Sequence, residues 1–175
     1  MHALLSDAKY GFIGFINAKD KEFVAAFDDA MRGVGYKSNG IQPYVCLGKY
    51  KIEYSKTGLK TKKYVARFYF RDEGLALRLY FTNIDKHRAY LENAPLFIKE
   101  PFINGEGRCK HCYLNGGGIG KGGKCSFHKA YTLDGVLYEK CAGESFYFHT
   151  LTAEAIPQYV ALLTAFYPGK HKAKH

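Results

Sequence analysis

The sequence has no tryptophan, only two methionines and five prolines among its 175 residues. No apolar run approaches the ~18 residues that a membrane-spanning helix needs, which argues against a helical anchor. The opening stretch MHALLSDAKYGFIGFINAKD offers neither a basic leader nor a long apolar core. No secretory signal is expected, and the cytoplasm is the expected compartment. Catalytic signatures are missing too: there is no HExxH, no GxSxG and no paired-carboxylate pattern. His87 and His149 stand without a partner whose spacing would make either a base. No internal repeat is visible.

What is present is ordinary in bulk. Hydrophobic residues make up 47% and charged residues 24%, a globular composition rather than a disordered one. The length fits one domain spanning 1–175, large enough to fold without disulfides. Aromatics are plentiful, with 15 Tyr and 13 Phe.

The net charge of +10 is unevenly spread. Residues 49–71 carry eight basic residues (Lys49, Lys51, Lys56, Lys60, Lys62, Lys63, Arg67, Arg71) against Glu53 alone. The tail 168–175 adds further lysines without apolar residues to pack, and is expected to be disordered. A concentrated field of this kind favours acidic partners, while lysines on exposed edge strands also serve solubility.

Hydrophobic spacing predicts the elements. Phe23, Ala26, Phe27, Ala30, Met31 and Val34 recur at helical intervals, giving a helix over 21–34 with Asp20 as its cap. Residues 44–54 read as a strand, with Tyr50, Ile52 and Tyr54 on one face. Residues 63–71 and 75–81 read as two more, joined at Asp72-Glu73-Gly74. A helix follows over 84–94, then a short connecting piece between Pro95 and Pro101. Residues 125–133 and 136–141 flank Asp134-Gly135, a type I′ hairpin signal. SFYFH at 145–149 suggests another strand, and Pro157 starts a last helix ended by Pro168-Gly169. The pattern predicts an α+β fold with an antiparallel meander packed by flanking helices.

Five cysteines are present. Cys46 sits in the apolar run Tyr44-Val45-Cys46-Leu47 and reads as a small buried hydrophobe. The other four fall in a Cys-rich subregion, 104–145. Cys109-Lys110-His111-Cys112 is a CxxC knuckle, with twelve residues to Cys125 and fifteen more to Cys141. In a reducing compartment this spacing points to a closed, structural Zn²⁺ site. A two-residue turn at Asp134-Gly135 pairs Leu133 with Val136, and counting outward sets His128 opposite Cys141, with Cβ atoms about 5 Å apart. Cys125, three residues before His128, turns to the other face in a regular strand. A bulge, or a strand that starts after Cys125, allows ligation by Cys109, Cys112, Cys125 and Cys141. Otherwise His128 replaces Cys125. The all-thiolate set is preferred because thiolate is the softer ligand. His111 is expected to face solvent or support the ligands.

NGGGIGKGGK, between Cys112 and Cys125, holds six glycines. Ordering it costs backbone entropy, which ligation at both ends would limit. It matches GxGxxG literally and nearly matches GxxxxGK[ST], but Cys125 replaces the magnesium-binding hydroxyl. Neither a preceding strand nor a following helix is expected, so a flexible loop is the reading.

Alternation places Lys49, Lys51 and Glu53, then Arg67 and Tyr69, then Arg78 and Tyr80 on the meander face away from the core. Cations among tyrosines on an open sheet can hold single-stranded nucleic acid; with Lys60, Lys62 and Lys63 they form a candidate anion surface. Long amphipathic side chains covering a sheet produce the same pattern.

Residues 23–104, and above all the run ARFYFRDEGLALRLYFTNIDKHRAYLENAP, resemble the YdhG/YjbR-like domains. The cysteine-bearing segment GEGRCKHCYLNGGGIGKGGKCSFHKAYTLDGVLYEKCAGESFYF is not part of that pattern, and together the two parts resemble a bacterial family with a C-terminal cysteine cluster. The resemblance implies a curved antiparallel sheet with flanking helices and transfers no site residue. The residues therefore lead to a zinc-containing binding domain for a protein or small acidic ligand. The alternatives are a nucleic-acid binder using 49–71 and an enzyme of unassigned class.

Overall fold

Asn17 fixes the start of the first helix. Its side chain accepts from the Asp20 backbone N–H at 2.8 Å and donates to the Asp20 carboxylate at 3.0 Å, a reciprocal cap in the manner of a capping box. The cap is thus Asn17 rather than Asp20, and the helix begins at Ala18, three residues before the expected start at 21. The computed structural model describes residues 14, 16–56, 64–104, 128–141 and 144–168. In chain order they form α1 (Ala18–Gly33), β1 (Tyr36–Pro43), β2 (Tyr50–Lys56), β3 (Tyr64–Arg71), β4 (Gly74–Tyr80), a 3₁₀ turn (Ile84–His87), α2 (Arg88–Glu92), α3 (Leu96–Ile103), β5 (Lys129–Leu133), β6 (Val136–Lys140), β7 (Ser145–Phe148), a 3₁₀ turn (Ala153–Ala155) and α4 (Ile156–Phe166). No described helix is long and apolar enough to cross a membrane.

The expected α+β class and meander are found. One sheet has the order β1-β2-β3-β4-β7, and β5-β6 form a separate hairpin. Adjacent pairs from β1 through β4 are antiparallel. The described residues divide into two units, one comprising those up to Leu79 and from Tyr147 onward, the other those from Tyr80 to Phe146.

In the first unit, α1 lays Phe23, Val24, Phe27 and Met31 onto the sheet, all buried. Phe27 meets Phe68 edge-on at 5.0 Å and Tyr54 at 5.4 Å. Truncating such a ring costs ~3–5 kcal/mol. Helix α4 buries Tyr159, Leu162, Leu163 and Phe166. The C-terminal carbonyls of α4 are satisfied from the sheet. The Tyr36 hydroxyl donates to the Leu163 and Tyr167 carbonyls at 3.2 and 3.1 Å. Lys56 Nζ donates to the carbonyls of Tyr167 and Pro168, placing a cation where the helix dipole favours one.

In the second unit, Phe81, Phe102, Phe146 and Tyr131 form an aromatic cluster, with Phe102 and Phe146 centroids 4.3 Å apart. Tyr131 donates its hydroxyl to the Phe102 carbonyl at 2.6 Å. The hairpin is tied to the helical segment by backbone donors: Thr132 N–H to Asp85 at 3.0 Å and Asp134 N–H to Glu92 at 3.0 Å. Asp134 and Gly135 both have positive φ, 49° and 75°, and Leu133 pairs with Val136 as the turn chemistry requires.

Three expectations are corrected. Strand β2 begins at Tyr50, not at residue 44. Residues 44–49 are instead a loop closed by Tyr44 N–H to the Lys49 carbonyl at 2.9 Å, and Cys46 is exposed, not buried in a strand. The segment between the prolines is the helix α3, entered at Pro95 and containing Pro101. The 84–94 helix is a 3₁₀ turn followed by the short α2, the break falling at His87, whose φ −113° and ψ 16° leave the helical range.

Candidate anion-binding face

The face of β2–β4 turned away from α1 is organised in two rows. Glu53 lies opposite Arg67 and Arg67 opposite Arg78; Lys51 lies opposite Tyr69 and Tyr69 opposite Ala76. Like charges directly opposite are unfavourable on an antiparallel sheet, so the pairing of Arg67 with Arg78 calls for an anion nearby. Glu53 is that anion. It is 4% exposed, with Oε1 2.7 Å from Arg67 Nε and 3.0 Å from Lys51 Nζ. Burial alone would raise its pKa; the hydrogen bond from Lys51, the charges of Arg67 and Lys51 and the hydrogen bond from Asn39 outweigh that, holding the carboxyl below its usual range.

Asn39 comes from an irregularity in β1, where the register shifts between Ser38 and Ile41. Its Nδ2 donates to Glu53 Oε2 at 3.0 Å and its Oδ1 accepts the Glu53 backbone N–H at 2.9 Å. A bulge on an edge strand re-aims a side chain, and here it aims Asn39 at the buried carboxylate.

Tyrosines interleave the cations, as expected, but they do not lie open. Tyr69 is fully buried, packed against Tyr44 with centroids 5.6 Å apart. Lys51 Nζ sits 4.8 Å from the Tyr44 ring centre and Arg67 5.0 Å from that of Tyr64. The guanidiniums of Arg71 and Arg78, from β3 and β4, converge on the ring of Tyr147 in β7, at 5.5 and 5.1 Å. Arg71 Nε donates to the Leu47 carbonyl at 2.9 Å, a neutral acceptor. Lys49 pairs with Asp72 at 2.5 Å, and both side chains are exposed, so that pair adds little. Tyr80, also expected on this face, ends β4 half-buried and belongs to the second unit. Lys60, Lys62 and Lys63 lie outside the described residues.

Asn39, Tyr44, Tyr64, Arg71 and Tyr147 complete the face beyond the residues expected. Tyr147 had a usable signal: in Ser145-Phe146-Tyr147-Phe148 the phenylalanines are buried and the tyrosine between them points the other way. Arg71 belonged to the charged run. Asn39 had no signal, because a polar side chain in a bulge cannot be told from one in a loop.

Of the candidate zinc ligands, Cys141 is described and is half-buried just beyond β6. The β5–β6 register ends at Lys129 opposite Lys140, with His128 and Cys141 just beyond it. The His128 Nε2 lies 3.6 Å from Glu139 Oε1. Cys109, Cys112, Cys125 and His111 lie outside the described residues, as does most of the 104–145 subregion and nearly all of the tail. Among the described residues no group of three or more His, Cys, Asp or Glu gathers as a metal site. His149 is exposed. His87 has its pKa lowered, by burial first and by Lys86 second.

Comparison with protein-family models, with curated proteins and with solved structures finds no match to this chain.

Proposed function

We propose that this chain is a binding module for a carboxylate-bearing ligand, held where Arg71 and Arg78 meet at Tyr147. The observation that carries the reading is that convergence. Guanidinium groups present paired donors suited to carboxylates, and both lie over the one Tyr147 ring; Arg71, whose Nε is bonded to the neutral Leu47 carbonyl, is the one offered to a ligand. Tyr69 being fully buried favours an acidic protein segment or small acid over nucleic acid, because a buried ring offers no face on which a base can stack.

The reading includes one structural Zn²⁺ ion, ligated by Cys109, Cys112 and Cys141 with either Cys125 or His128. Cysteine spacing supports it, as does a β5 strand that starts at Lys129, after both candidates for the fourth position. The nucleic-acid alternative draws its support from the net charge of +10 and from Lys60, Lys62 and Lys63.

Fluorescence anisotropy with a labelled glutamate-rich peptide and a labelled oligothymidylate, both at low salt, tests the reading. Peptide binding weakened about tenfold by Arg71→Gln supports it, that being the worth of one charge-assisted contact. Oligonucleotide binding that is steeply salt-dependent, and abolished by Glu at positions 60, 62 and 63 in place of Lys, would replace it with the nucleic-acid alternative. Binding of neither probe ends both. Elemental analysis should find about one zinc per chain if the cysteine cluster is a closed site.

A further inference from the structure

We propose that Glu53 is the specificity determinant of this face: a built-in anion that occupies Lys51 and Arg67, withholds them from a phosphate backbone, and confines an incoming acid group to Arg71 beside Tyr147. The inference rests on the carboxylate-binding reading above and refines it.

The geometry supplies the argument. Glu53 is the one acidic residue among the eight basic ones of 49–71, and it is not on the rim of that patch but buried within it. Its Oε1 contacts both Lys51 Nζ and Arg67 Nε, and Asn39 holds its Oε2 and its backbone N–H. A carboxylate fixed at three points, by side chains from three strands, cannot swing aside to admit a second anion. An exposed acid in a basic patch does little but lower the mean potential. A buried, clamped one has a position, and specificity follows when an unfavourable contact is built against the wrong partner. A nucleic-acid strand crossing the face has to place successive phosphates along it, one of them beside Glu53. An acidic peptide can set one carboxylate at the Tyr147 corner without placing another beside Glu53, because its acid groups sit on side chains that can point away. Lys51 and Arg67, although basic and on the face, are therefore spoken for, whereas Arg71 donates its Nε to the neutral carbonyl of Leu47.

Two substitutions test this, read with the two labelled probes named above. Glu53→Gln should raise oligothymidylate affinity about tenfold and steepen its salt dependence by one to two released counterions, as two cations become available to phosphates. Peptide affinity should change less than about threefold. Lys51→Gln should leave peptide affinity within about threefold, whereas Arg71→Gln costs about tenfold. An unchanged oligonucleotide affinity in folded Glu53→Gln overturns the proposal. So does a Lys51→Gln loss equal to that of Arg71→Gln, which decides the matter even if Glu53→Gln fails to fold. Failure of the wild-type chain to bind the peptide at all counts against the carboxylate reading itself. Intact peptide binding with the wrong variant pattern counts against Glu53 alone.

Discussion

Asn39 grips Glu53 at both its backbone and its side chain, donating to Oε2 at 3.0 Å and accepting the N–H at 2.9 Å. One residue of an edge strand thus orients the buried Glu53 carboxylate on the cationic face. Asn39→Ala leaves a buried N–H and one carboxylate oxygen short of a partner, a loss of about 1–3 kcal/mol. Urea unfolding should show that loss as a lower midpoint with an unchanged slope. Asn39→Asp should destabilise more, since it sets a second negative charge against Glu53 and removes the donor. A midpoint for Asn39→Asp equal to that of the wild type would show that Glu53 is not held in this way.

Glu53 also dictates a pH dependence. Its folded-state pKa lies below the ordinary glutamate value, so its ion pairs stabilise the fold at neutral pH. The sign follows from linkage. The contribution is complete above the unfolded-state value of about 4.3 and is lost as the pH falls from there through the lowered folded value. Stability measured against pH should therefore decline on the acid side. In Glu53→Gln the decline should be shallower over that window, although the variant starts from a lower stability at pH 7. Identical acid slopes in the two proteins would contradict the placement.

Much of the scaffold was readable because side-chain alternation and turn chemistry agree there. Leu75, Leu77 and Leu79 alternate cleanly into β4, and Asp134-Gly135 fixed the β5–β6 register one residue at a time. Strand β1 gave no such signal. Tyr36–Pro43 reads YKSNGIQP, with a glycine at φ 72°, a bulge and a terminal proline, features an edge strand tolerates and a sequence pattern assigns to loop. Helix α3 was hidden by the prolines at its entry and inside it. Run 44–47 misled in the opposite direction. Its apolar residues look like a strand, yet Val45 is 94% exposed because Gly48 turns the chain back onto β3. On the face itself the cations were visible as charge, but which of them Glu53 holds depends on Asn39, Lys51 and Arg67 meeting in space across three strands.

The Tyr36 hydroxyl closes the C-terminal end of α4, and burial first and Tyr167 second push its pKa up to about 12. A phenol whose folded value exceeds its unfolded one stabilises the fold below the unfolded value, about 10, and that contribution is lost as pH rises from 10 toward 12. Tyr36→Phe removes two hydrogen bonds to carbonyls and should cost about 1 kcal/mol at pH 7. It should also remove the part of the alkaline stability loss that belongs to Tyr36. Spectrophotometric titration checks the assignment: the variant should lack one late-titrating tyrosine.

Gly48 is required for its missing Cβ rather than for any unusual backbone angle. A methyl group built there would stand 2.6 Å from the Phe70 carbonyl oxygen and 3.2 Å from its carbon, both backbone atoms of a central strand that cannot yield cheaply. The same strand position accepts the Lys49 N–H at 2.8 Å, so relief must come from the loop. Gly48→Ala should break that hydrogen bond and cost about 1–3 kcal/mol, in the range of other overpacked sites. Because Arg71 Nε is bonded to the Leu47 carbonyl in the same loop, displacement should also loosen the guanidinium beside Tyr147 and weaken binding of the glutamate-rich peptide. Thermal melting and peptide anisotropy on Gly48→Ala read these two effects separately. A variant that melts like the wild type would mean that the loop does not press against β3 as described. A destabilised variant with unchanged peptide affinity would mean that Arg71 does not depend on the loop for its position.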